Sequence, residues 1–187
     1  MRIVVVVDTQ NDFIDGVLGS PEAQAAVPNI VNKLKEYENT ETLILFTKDT
    51  HYDSYMETQE GHNLPVPHCI NGTPGWSIAK PISSLVDNGI FYKYSDKDII
   101  NSRVLKETFG SIRLAKLIAD LTKENTIEEV VFMGFCTDIC VISNVLLTKA
   151  HAPELPITVV ANCCAGVTPE KHEAALETMR SCQIKVI

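Results

Sequence analysis

The feature that most constrains this chain is the alternation of short, apolar, β-branched runs with segments of helical periodicity. Residues 3–7 (IVVVV), 42–47, 129–133, 157–161 and 184–187 read as strands. None shows the strict in–out alternation of a half-solvated strand, which fits parallel strands covered on both faces. Between them, residues 27–37, 111–123, 140–149 and 169–181 carry helical patterns. Thr168-Pro169-Glu170 is a helix start, with threonine as cap and proline at the first position. The β-α-β order implies an α/β fold: a doubly wound, Rossmann-like, mostly parallel sheet with right-handed crossovers, three layers deep. A chain of 187 residues suits one domain over 1–187, with a core that needs no staples.

Charge and composition exclude several functions. The net charge is -8, and no basic stripe with interleaved aromatics exists, so nucleic acid is not an expected partner. No run approaches the roughly 18 apolar residues of a membrane span. The opening MRIVVVVDTQNDF has an apolar run of only five residues before an acidic stretch, so it reads as a buried strand rather than a signal peptide. The expected setting is therefore cytoplasmic, with the six cysteines reduced. They form no CxxC pair and no zinc-finger pattern.

Two stretches interrupt the pattern: residues 51–76, rich in His, Pro, Gly and Asn, and residues 87–106, with the charged YSDKD. Long irregular stretches in a compact domain are usually functional. Ligands of open parallel sheets sit beyond the carboxyl ends of the strands. There the chain places Asp8, then Lys48-Asp49, then GFCTDIC, then Asn162-Cys163-Cys164. Polar and reactive groups thus gather along one edge of the sheet.

Cys140 lies six residues after Gly134, where the third strand gives way to a helix expected to start near residues 138–140. A thiol at a helix N-terminus is favoured as thiolate by the dipole and by free N–H groups. Those N–H groups also suit an acyl oxyanion. A free cysteine more commonly packs as a small hydrophobe, so pattern alone leaves both roles open. Cys136 competes from within the turn, its side chain free to point away from the pocket. Cys163 and Cys164 read as packing groups after a strand, and Cys69 and Cys182 as structural.

Asp8, in DTQNDF, ends a buried strand, where a carboxylate is costly unless paired or in a site. Beside a thiol it is a proton acceptor, and a nearby lysine would stabilise both charges. Lys106 in VLKETFGS and Lys93 in GIFYKYSDK both follow short apolar segments; the local sequence favours Lys106. Asp49, His51 and His68 form a candidate ligand set for zinc, iron or manganese, with Glu60 and His62 in the same loop. In an extended segment Asp49 and His51 share a side.

Taken together, DTQNDF, TKDTH followed by PHCINGTPGW, LKETFGS and GFCTDICV resemble the motifs of the isochorismatase-like cysteine hydrolases, and within them the nicotinamidase-like branch. The resemblance covers nearly the whole chain. It implies Asp8 as base, Lys106 as the lysine, Cys140 as nucleophile, and Asp49, His51 and His68 as metal ligands, with zinc the first candidate. It further implies a cis peptide between Phe135 and Cys136 and an oxyanion hole from the N–H groups of Cys136 and Cys140; Phe13 and Trp76 are candidates to pack on the substrate ring, although core or loop packing is the commoner role for each. Two departures stand out. DTHYDSY replaces the branch's usual D-W-H-P, and Lys93, at 25 residues after His68, fits the usual spacing better than Lys106, at 38.

The activity implied is hydrolysis of nicotinamide to nicotinate and ammonia through a thioester, by an enzyme that forms a homo-oligomer. Two alternatives stay open: another small amide, carbamoyl or ureido substrate, or a silent member acting in a complex.

Overall fold

In the computed structural model the described residues are 1–38, 40–87, 109–124 and 126–187. Five parallel strands form one sheet: β1 Arg2–Val7, β2 Thr42–Phe46, β3 Glu129–Phe135, β4 Ile157–Ala165 and β5 Lys185–Val186, in the order β2-β1-β3-β4-β5. Val4 faces Ile44 on one side and Val131 on the other. Ile3 to Val7 are fully buried, which is why β1 carries no alternation.

The helices are α1 Asn11–Ile14, α2 Pro21–Glu36, α3 Gln59–Asn63, α4 Lys80–Asp87, α5 Ile112–Glu124, α6 Ile142–His151 and α7 Pro169–Ser181. They flank the sheet, with α2 against β3 and β4 and α7 against β4 and β5. Among the described residues no helix is long and apolar enough to cross a membrane.

Several boundaries differ from the sequence reading, and three matter most. Helix α2 starts at Pro21 rather than residue 27, because Ser20 caps it, its Oγ accepting from the Ala23 N–H at 3.1 Å. Pro28 lies inside that helix. Strand β4 continues to Ala165, so Asn162, Cys163 and Cys164 lie in the strand rather than beyond it. The third concerns Cys140, which sits in a wide, π-type turn, Thr137–Val141, ahead of α6.

The crossovers from β1 and β3 leave in opposite directions, to β2 and to β4. The crevice between the carboxyl ends of β1 and β3 is therefore the switch point where such sheets bind ligands. Gly134 makes the crevice tight: its φ is +124°, and a Cβ there would collide with the backbone of Val7.

Candidate active site and metal centre

At the switch point β1 ends in Asp8, whose φ of 47° turns the chain out of the sheet. The residue is buried. Thr47, just beyond β2, donates its hydroxyl to Asp8 Oδ1 at 2.7 Å. The Cys140 thiol, delivered by the turn after β3, interacts with the same carboxyl group. Sequence-distant residues 8, 47 and 140 thus meet because β2, β1 and β3 are neighbours in the sheet.

Burial pushes the Asp8 carboxyl up to about 7, and the charge of Asp49 adds to the rise; Thr47, Cys140 and the Asp49 backbone oppose it. Cys140 is held well above an ordinary thiol, first by burial and then by Asp8 and Asp49. This corrects the expectation that a helix terminus would favour thiolate. Desolvation and two carboxylates outweigh the dipole, whose effect falls off within a turn. Burial thus keeps Cys140 a thiol beside the Asp8 carboxyl group.

Cys136 follows a cis peptide bond with Phe135, as the resemblance implied. Its carbonyl accepts from the N–H groups of Ile139 and Val141, at 3.1 and 3.0 Å, and so winds the turn that presents Cys140. Cys136 and Cys140 both line a cavity of about 300 Å³. Phe13, Leu64, Phe109, Phe135, Ile139 and Val167 give the cavity apolar walls, and Asp49, Glu60 and His68 reach one side. Trp76 is not among the lining residues. Its ring instead carries the Lys48 ammonium, 2.8 Å from the centroid, and its Nε1–H donates to Thr50 Oγ1 at 2.9 Å. Burial lowers Lys48 to about 8. Lys106 and Lys93 lie outside the described residues.

Beside the thiol, one ligand atom each from Asp49, His51, Glu60 and His68 falls within 4.8 Å of the others. His51 Nε2 lies 2.9 Å from Asp49 Oδ2, and His68 Nε2 lies 3.2 Å from it. Glu60 Oε1 is 3.7 Å from His51 Nε2 and 3.9 Å from His68 Nε2. With metal–ligand bonds of about 2.0–2.1 Å, the edges of a tetrahedral site are about 3.3–3.4 Å, so these separations fit an ion. The hydrogen bonds agree. His68 Nδ1 is 2.8 Å from the Val66 carbonyl, to which it donates, leaving Nε2 for a cation. Asp49 Oδ1 is buried without a hydrogen-bond partner. Burial works against ionisation of Asp49, but the two imidazoles outweigh it and hold the carboxyl below its ordinary value. The donor set suits a divalent metal. His62 is exposed and stands outside the cluster; Glu60 takes the fourth place.

Gln10 and Thr47 were not singled out by sequence reasoning, though Gln10 sits in the DTQNDF motif. Fully buried, Gln10 donates from Nε2 to the carbonyls of Asp49 and Trp76 at 2.9 and 3.0 Å.

The isochorismatase domain matches residues 2–187. A nicotinamidase/pyrazinamidase of Mycobacterium tuberculosis is 26% identical over 194 residues, covering 100% of this chain and 98% of the relative. The crystal structure of nicotinamidase PncA from Bacillus subtilis superposes with a TM-score of 0.77 at 25% identity, over 99% of this chain and 98% of that one. A pyrazinamidase of Pyrococcus horikoshii, in complex with zinc, gives a TM-score of 0.72 at 25% identity, over 100% and 98%. A parallel sheet with a thiol–carboxyl pair at its switch point and a domain match over nearly its full length make this chain a member of the isochorismatase family.

Proposed function

We propose that this protein hydrolyses nicotinamide to nicotinate and ammonia. The observation that carries the reading is the pairing of the Cys140 thiol with the Asp8 carboxyl group, at the wall of an apolar cavity beside a four-residue metal-type cluster. Nicotinamidases and pyrazinamidases among its relatives name the substrate class.

Asp8 takes the thiol proton as sulfur attacks the carboxamide carbon. The oxyanion is received by the backbone N–H groups of Cys136 and Cys140. Collapse breaks the C–N bond, ammonia leaves with the proton from Asp8, and a thioester remains on Cys140. Asp8 then deprotonates water, which attacks the thioester and frees nicotinate. Lys106 supplies the positive charge that balances Asp8 and the developing thiolate. Phe13 packs against the substrate ring. A divalent ion held by Asp49, His51, Glu60 and His68 would supply a Lewis-acid site for the ring nitrogen, and zinc, found in the Pyrococcus horikoshii relative, is the first candidate over iron or manganese. An oxidation-sensitive nucleophile suits a reducing, cytoplasmic setting, and we take the working form to be a homo-oligomer.

The test is ammonia release from nicotinamide, with and without a chelator, by the wild type and Cys140→Ala. Turnover lost on chelation and in the variant supports the reading. No turnover of nicotinamide, with turnover of a ureido or carbamoyl compound, refutes it.

A further inference from the structure

The strand-end segment carrying Asp8 does more than hold a base, because two of its other polar members, Gln10 and Asp12, reach the two loops that bear the metal-type cluster. Gln10 Nε2 spans the carbonyls of Asp49 and Trp76 at 2.9 and 3.0 Å. Asp12 Oδ2 accepts the N–H of Cys69, next to His68, at 2.7 Å. Cys69 has a φ of 45°, so the chain reverses sharply just after His68, and the Asp12 carboxylate caps that reversal. The Asp12 N–H in turn donates to the Gly75 carbonyl at 3.1 Å. The two loops also touch directly, His51 N–H donating to the Cys69 carbonyl at 3.0 Å.

Space around Asp12 is reserved for its carboxylate. A Cβ on Gly75 would collide with that group, and one on Gly16 would reach Asp12 Oδ1 at 2.6 Å. A side chain at residue 75 would displace the carboxylate from the Cys69 N–H.

We propose that Gln10 and Asp12 are positioning residues that set the separation of Asp49 and His68 and so preorganise the cluster for a divalent cation. Gln10 acts through the Asp49 backbone, and Asp12 through the Cys69 amide behind His68. The inference rests on the reading of Asp49, His51, Glu60 and His68 as a metal centre. Ligand direction is fixed by groups that never touch the ion, and loss of such a group typically weakens metal binding about 10- to 100-fold.

The test is zinc affinity of the full chain, by competition with a chromophoric chelator, alongside the melting temperature of each metal-free variant. Gln10→Leu, Asp12→Ala and Gly75→Ala are expected to raise the zinc Kd about 10- to 100-fold. Asp12→Asn keeps an acceptor oxygen at the same place and is expected to recover most of the affinity. Gln10→Met, matched in length, replaces Gln10→Leu if that variant does not fold. Unchanged Kd values with lowered metal-free melting temperatures would reduce these residues to structural ones and overturn the proposal. Equal losses in Asp12→Asn and Asp12→Ala would overturn the hydrogen-bond account. Wild type that fails to bind zinc, manganese or iron would instead overturn the metal reading itself.

Discussion

Replacing Thr47 by valine removes one hydroxyl of similar shape from beside Asp8 and isolates its effect on the base. The Thr47 hydroxyl donates to Asp8 Oδ1 at 2.7 Å, and both residues are buried. The Asp8 N–H keeps a partner in the variant, since it also faces the Thr47 carbonyl at 3.3 Å. A hydrogen bond to a charged group is worth about 1.5–3 kcal/mol. At 1.36 kcal/mol per unit, its loss raises the Asp8 pKa by about 1–2 units. Asp8 must be ionised to take the Cys140 proton, so activity climbs with pH along an acid limb set by this carboxyl. Thr47→Val should move that limb upward by the same 1–2 units. On the limb, kcat/KM for ammonia release falls roughly 10- to 100-fold; on the plateau it is little changed. The measurement is the pH profile of kcat/KM for wild type and variant over the same buffers. A rate lowered equally at every pH, with an unmoved limb, would refute the assignment of Asp8 as the titrating base.

Cys140→Ala should lower kcat/KM by at least about 10⁴-fold while far-ultraviolet circular dichroism stays unchanged. Removing the metal should move the acid limb upward in whatever activity remains, because the Asp49 charge that raises Asp8 is then uncompensated; a pH profile at low residual turnover checks this. In metal-free protein, Asp8 stands at about 7 against an unfolded value of 3.8. Its protonated form is the one the fold favours, so its stabilising contribution is complete below about pH 4 and is lost as pH rises through about 7. Asp8→Asn should therefore melt higher than wild type at pH 8 and lose that advantage at pH 4, as thermal melts across pH will show. Lys106→Ala should abolish turnover and Lys93→Ala should spare it, in the same ammonia assay.

The sheet was legible because burial on both faces leaves its mark on composition. Residues 3–7 are all β-branched and all buried, and that run could serve only as a central strand. Helix α7 was legible for a local reason, its Thr168-Pro169 start, where the Thr168 hydroxyl accepts the Lys171 N–H. Helix α2 was read short, from residue 27, whereas the real start is Ser20-Pro21. A proline in the second turn costs one hydrogen bond, and the buried face of Ala23, Ala26, Ile30 and Leu34 outweighs it. The strand end at Ala165 was hidden by Asn162, a polar residue that suggests a loop.

The cluster shows where spacing stops being informative. Asp49 and His51 lie in an extended segment, where residues two apart share a side, and the structure does bring them together. Applied to Glu60 and His62, the same rule puts both on one side and cannot choose between them. The segment is in fact helical, Gln59–Asn63, with the Thr58 hydroxyl accepting the Gly61 N–H at its start. At 3.6 residues per turn, residues two apart point about 200° apart. Glu60 therefore turns inward to the histidines, and His62 turns out to solvent. Gly61, between them, sits against the backbone of Tyr55 and Met56, where a Cβ would not fit, so the short helix is pinned down at that point. A Gly61→Ala substitution should accordingly lift Glu60 away from His51 and His68 and weaken metal binding without touching a ligand atom. Unchanged zinc affinity in that variant would show that the period-3.6 placement of Glu60 is not what holds it in the cluster.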